Sequence, residues 1–163
     1  MTYRRLTPDD LIDRAEISDV VHRYATGIDH RDWPLFRSIF TEEIMLDFSS
    51  WSGEPRHATR SADWAAGVEQ VLSRFDATQH VSSNHNITLD GDRATCVSYM
   101  MALHHLVTGD QREMHAIGGW YSNRLVRTDA GWKIADCTLT VRWEMGDRGL
   151  FARAAARAAG TAG

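Results

Sequence analysis

At 163 residues, with 43% hydrophobic and 25% charged side chains, the chain has the composition of one ordinary globular domain, which excludes fibrous and disordered classes. It is long enough to bury roughly two-thirds of the surface its extended form would expose. A net charge of -4 without a long basic run gives no reason to expect nucleic acid or an anionic membrane as a partner.

Thr7-Pro8-Asp9-Asp10 reads as a helix start, with Thr7 as N-cap and Pro8 in the first turn. Ile17, Val20, Val21, Tyr24, Ala25 and Ile28 recur at helical spacing, so helix one is expected to run to Asp29. Trp33, Leu35, Phe36, Ile39 and Phe40 mark a short second helix, and Glu43 to Trp51 reads as a strand with an aromatic end. A polar loop from Gly53 to Thr59 follows, then a third helix capped by Ser61 and carrying Trp64, Val68, Val71, Leu72 and Phe75. From Thr78 the period changes. Four long strand-like runs are separated by Asp90-Gly91-Asp92, Thr108-Gly109-Asp110 and Thr128-Asp129-Ala130-Gly131. Helices followed by an antiparallel meander predict an α+β fold, a curved sheet wrapped over the N-terminal helices as a cone with an open end. The whole of 1–163 reads as one domain, with 144–163 as a tail whose Ala- and Arg-rich helix, from Leu150 to Ala159, is expected to pack on a neighbouring subunit. No signal-peptide pattern and no apolar run of membrane-spanning length occur, so the expected compartment is the cytoplasm. Cys96 and Cys137 form neither a disulfide framework nor a zinc motif and read as buried thiols.

Two polar stretches carry the candidate chemistry. Asp29 falls at the C-terminal end of helix one, where the helix dipole disfavours an acid, so it has no helix-stability reason to be there. His80, opening a strand in Thr78-Gln79-His80-Val81, would supply a reason: an aspartate that holds one imidazole nitrogen leaves the other free as a base. The structural alternatives are a loop-capping Asp29 and a hydrogen-bonded strand histidine. The eight histidines show no zinc or iron spacing, and no Gly-rich phosphate loop or nucleophile elbow is present, so neither a metal nor a cofactor is expected.

Ile28-Asp29-His30-Arg31-Asp32-Trp33, Leu46-Asp47-Phe48, Thr78-Gln79-His80, Ile117-Gly118-Gly119-Trp120-Tyr121, Gly131-Trp132-Lys133-Ile134 and Val141-Arg142-Trp143 together resemble the SnoaL-like branch of the nuclear-transport-factor-2-like superfamily. Within it the chain is most similar to the scytalone dehydratase, hexachlorocyclohexane dehydrochlorinase and bile-acid dehydratase group. The resemblance implies Asp29 and His80 as catalytic pair, Tyr24 as hydrogen-bond donor to a leaving hydroxyl or enolate oxygen, and Arg142 as the group polarising a far oxygen. It also implies a homotrimer, dimers being common elsewhere in the superfamily. Tyr24 in a core stripe also reads as a satisfied buried hydroxyl, and Arg142 as an intersubunit ion-pair partner. Phe48 departs from the tyrosine of scytalone dehydratase, and the acidic strand residue of the bile-acid enzyme is replaced by the run Ala102-Leu103-His104-His105. Strand alternation turns only one of His104 and His105 inward, and the sequence leaves open which. Phe48, Trp51, Met101, Tyr121 and Trp143, with the inward histidine, are the expected substrate-binding wall. The functional expectation is a cofactor-independent lyase, a dehydratase of a hydrophobic cyclic substrate of steroid, terpenoid or polyketide type. The alternatives are an isomerase or cyclase using the same pair, or a non-catalytic assembly subunit such as the small subunit of a dioxygenase.

Overall fold

The computed structural model describes residues 5–160. Helix α1 (Pro8–Asp29) opens with a capping box: the Thr7 hydroxyl accepts the Asp10 amide at 3.2 Å, while the Thr7 amide donates to the Asp10 carboxylate at 2.7 Å. Its buried face is Ile17, Val20, Val21, Tyr24, Gly27 and Ile28, the expected stripe with Gly27 added and Ala25 only half-buried at its edge. Arg31, at φ 59°, turns the chain, and Asp32 accepts the Leu35 amide at 2.9 Å to start α2 (Trp33–Ser38). The two helices touch at Gly27, where a Cβ would lie 2.8 Å from that of Phe36. Only glycine permits that approach.

Strand β1 (Phe40–Asp47) ends earlier than the sequence pattern indicates. The Asp47 carboxylate accepts both the amide and the hydroxyl of Ser49, at 3.1 and 2.6 Å, and folds the next residues into a single helical turn, α3 (Ser49–Ser52). Trp51 therefore sits on a helical turn and not on a strand. The expected loop contains a short strand, β2 (His57–Arg60), paired antiparallel with β1. Ser61 is the first buried residue of α4 (Ser61–Leu72) rather than its cap, and Phe75 lies beyond the helix end.

The meander is as expected: β3 (Ala77–Asp90), β4 (Arg93–Thr108), β5 (Gln111–Thr128) and β6 (Gly131–Met145) pair antiparallel in sequence. Gly91 and Gly109 take the positive φ, 58° and 59°, that their tight turns require. β1 then joins β6 in parallel, giving the order β2-β1-β6-β5-β4-β3. Strands of 14 to 18 residues cannot stay flat, and register shifts at Ser83/Asn86 and Gly118/Gly119 bend the sheet around the helices. The result is the open α+β cone. In β4 the even-numbered positions from Ala94 to Leu106 are all buried, so the concave face is set by strict alternation.

The tail forms the expected helix. Helix α5 (Leu150–Gly160) packs on its own chain, with Leu150 and Ala154 buried and Phe151 against Phe75 and Trp51 at ring distances of 5.0 and 5.6 Å. Arg153 pairs with Glu113 and Asp147, and Arg157 with Asp76, tying the helix to the mouth of its own cone. Residues 161–163 of the tail lie outside the described residues.

Candidate active site

Helix α1 ends and strand β3 begins at the same place, and the side chains there meet. The Asp29 carboxylate accepts three hydrogen bonds: from His80 Nδ1 at 2.7 Å, from the His80 backbone amide at 2.6 Å and from the Thr78 hydroxyl at 2.9 Å. Thr78 in turn accepts from Arg31 at 3.0 Å, whose guanidinium also caps the Ile28 carbonyl at 2.9 Å. Burial of Asp29 opposes its ionisation, but the donors from His80 and Thr78 outweigh it and hold the carboxyl below the ordinary carboxylate range. An ionised Asp29 can only accept, so His80 carries a proton on Nδ1, and a neutral ring held in that way has its lone pair on Nε2. That is the arrangement of an oriented base.

Beside the pair lies a cavity of about 300 Å³. Tyr24, Phe48, Trp51, His80, His104 and Tyr121, all singled out in the sequence, line it. Much of the remaining wall is apolar, including Leu46, Trp64, Leu139 and Phe151. The two phenols are buried and adjacent, the Tyr121 hydroxyl donating to that of Tyr24 at 3.3 Å. Burial, and then the neighbouring phenol, push Tyr24 well above the ordinary tyrosine range, so it remains a protonated donor. Alternation decides between the two adjacent histidines: His104 is 4% exposed and faces the cavity, and His105 falls on the convex face. Burial, followed by the nearby His80 and His115, lowers His104 to about 3, so it is a neutral imidazole.

Four residues of the expected site lie elsewhere. Met101 shares the convex face of β4 with His105, for the same alternation reason. Arg142 falls on the convex face by alternation from Leu139, which lines the cavity, and Trp143 is kept on that face by the bulge at Gly118/Gly119. There Gly118 pairs with Trp143 and Gly119 with Val141, which leaves Arg142 as the extra residue of the bulged strand. Its guanidinium stacks over Trp120 at 5.4 Å, in an outer groove that also holds Met101 and Trp143, and does not line the cavity. The two glycines permit this geometry, since a Cβ on Gly118 would lie 2.0 Å from the Trp143 indole.

Sequence reasoning missed Thr78 and Arg31 as supports of the pair, and Trp64, Leu139 and Phe151 as cavity wall. Thr78 was within reach of the argument, because it is two residues before His80 and shares its strand face. Phe151 was not, because its contact depends on where α5 folds. Among the described residues no cluster of three metal-ligating side chains occurs, and no helix is long and apolar enough to cross a membrane.

A curved sheet closed by helices around an apolar cavity, with an acid–histidine pair in its wall, defines a small-molecule pocket on the nuclear-transport-factor-2-like cone. The chain belongs to the SnoaL-like domain family, whose pattern it matches over residues 9–138. It is 30% identical over 155 residues to terrestric acid biosynthesis cluster protein E of Penicillium crustosum, covering 91% of this chain and 94% of that one. The Kfla4162 protein of Kribbella flavida superposes with a TM-score of 0.80 at 32% identity, over 88% and 98% of the two chains. A hexachlorocyclohexane dehydrochlorinase, LinA type 2, shares the fold with a TM-score of 0.69 at 22% identity, over 86% and 93%. A scytalone dehydratase-like protein from Novosphingobium aromaticivorans does so at 0.74 and 18%, over 88% and 93%.

Proposed function

We propose that this protein is a cofactor-independent lyase of the dehydratase type, acting on a hydrophobic cyclic substrate in the cytoplasm. The observation that carries the reading is the 2.7 Å contact between Asp29 and His80 at the wall of an apolar cavity. His80 Nε2 takes a proton from a ring carbon, the carbon–oxygen bond on the neighbouring carbon breaks, and the elements of water are lost as the double bond forms. The protonated Tyr24 hydroxyl hydrogen-bonds the departing or polarised oxygen, and neutral His104 offers a second polar contact. The fixed positive charge expected of Arg142 has no part, because that residue lies on the convex face. Arg142→Ala is therefore expected to change turnover by no more than about twofold, as for a surface substitution away from the chemistry. A larger fall in kcat would bring the residue back into the site.

An isomerase would use the same pair, moving a proton between carbons with no leaving group. A non-catalytic assembly subunit would need neither a touching pair nor an open cavity, whereas the pair is in contact and the cavity open. We also propose that 1–163 folds as one domain and that copies associate, as a trimer, through the convex sheet face. Tyr99 and Trp143, 58% and 46% exposed, stand there with Met101 and Trp120.

The test is native mass spectrometry of protein from its own host, followed by a screen of cyclic β-hydroxy ketones with His80→Ala as control. Loss of water from one of these compounds, abolished in the variant, is the expected result. Turnover that survives in His80→Ala, or recovery only as a complex with a larger chain and without ligand, would overturn the reading.

A further inference from the structure

Among the described residues no lysine or arginine lines the cavity. Its polar members include the two phenols, the partnerless Trp64 indole N–H, His80, His104, Ser52, Glu54 and His57, and the last three are exposed, so they stand at the mouth. The charge behind His80 is the Asp29 carboxylate, already saturated by three donors from this chain. Arg148, whose guanidinium lies 3.8 Å from the centroid of the Trp51 ring and pairs with Glu144, does not line the cavity, so an anion that passed Glu54 would give up its hydration with no cation in the wall to replace it. A neutral ring would lose only hydrating water and gain contact with Phe48, Trp51, Trp64 and Phe151. At about 300 Å³ the cavity is also at the small end of the range for ligand pockets, room for one or two rings rather than a four-ring skeleton.

We infer that the cavity selects an uncharged one- or two-ring substrate and rejects its carboxylate counterpart, with Glu54 at the mouth as a specificity-determining residue. This rests on the lyase reading of the same site but concerns which compounds enter, not what happens to them. It narrows the substrate from the steroid, terpenoid and polyketide types together to small, neutral, bicyclic or monocyclic compounds. Arg142, on the convex face, supplies no cation to the wall.

Calorimetric titration with 2-naphthol and 2-naphthoate at neutral pH tests this directly, because the two share a skeleton and differ in charge. The full chain is expected to bind naphthol at least about thirtyfold more tightly, the effect of burying an uncompensated charge at a partly open site. Two variants extend the test. Glu54→Gln is expected to narrow the gap about threefold by improving naphthoate alone, and Val71→Lys, which places a cation in the wall, to reverse the preference. Equal or tighter binding of naphthoate by the unaltered protein would overturn the selectivity, as would failure of both compounds to bind. Those failures are separable from failure of the lyase reading, because turnover and its dependence on His80 are measured independently of these affinities.

Discussion

Asp29→Asn is expected to cost about 10³- to 10⁴-fold in turnover, nearly as much as removing His80 itself, although it leaves the shape of the site unchanged. An aspartate that fixes a base in the right tautomer has that leverage in the serine-hydrolase triad, where the same exchange is known to lower kcat by about 10⁴. Here three donors converge on the carboxylate, from His80 Nδ1, the His80 amide and Thr78. An asparagine offers one oxygen and places its own NH₂ against a donor, so His80 flips its tautomer or loses its partner. A donor left buried and unpaired also costs stability, about 1–3 kcal/mol. The two effects separate by measurement. Steady-state kinetics reports the first, and urea unfolding of the same protein the second. The pH dependence has a definite sign. The Asp29 pKa is held below its unfolded value, so its contribution to stability is fully present above the unfolded carboxylate pKa, about 3.9, and is lost as pH falls through the lower folded value. The asparagine variant should lack that component of acid sensitivity. Turnover within tenfold of the unaltered protein would mean that Asp29 is a structural cap and not part of the chemistry.

Phe36→Ala is expected to be the most destabilising single change, by about 3–5 kcal/mol. Phe36 is fully buried between α1 and the sheet, with ring distances of 5.0 Å to Tyr24, 5.2 Å to Phe40 and 6.3 Å to Trp33. Its backbone stands against Gly27, so the helices cannot close over the gap without a larger shift. Domains of this size are stable by about 5–15 kcal/mol, so the variant should fold with a much lowered urea midpoint and little change in slope. Tyr24 loses its edge contact with Phe36, so activity at low temperature should fall as well. A loss below about 1 kcal/mol would show that the cluster collapses to fill the space, and that Tyr24 is held from elsewhere.

Periodicity identified α1, the meander and its three turns, because each is a local pattern repeated over many residues, which side-chain sterics and turn glycines enforce without help from distant parts of the chain. Asp29 and His80 were legible for a related reason: an acid at the wrong end of a helix asks for a partner. What local pattern could not supply was anything decided by a pairing between distant segments. Trp51 left its strand because Asp47 captured Ser49, β2 was recruited by β1, and Phe151 reached the cavity because α5 folds back over its own sheet. His104 and His105 are chemically alike and adjacent, so only the side of β4 that faces the helices distinguishes them. Arg142 shows the limit most plainly. Its place in the sequence near the end of the last strand is as expected, but with Leu139 in the cavity wall alternation puts Arg142 on the opposite face, and the bulge at Gly118/Gly119 then keeps Trp143 on that outer face as well. The sequence by itself therefore determined the long first helix, the meander, the cone and the meeting of Asp29 with His80, all written in short-range periodicity and helix electrostatics. Tertiary structure alone decided which side chains line the cavity and what charge it tolerates, because side-chain direction along a strand reverses with each residue and a single bulge inverts it.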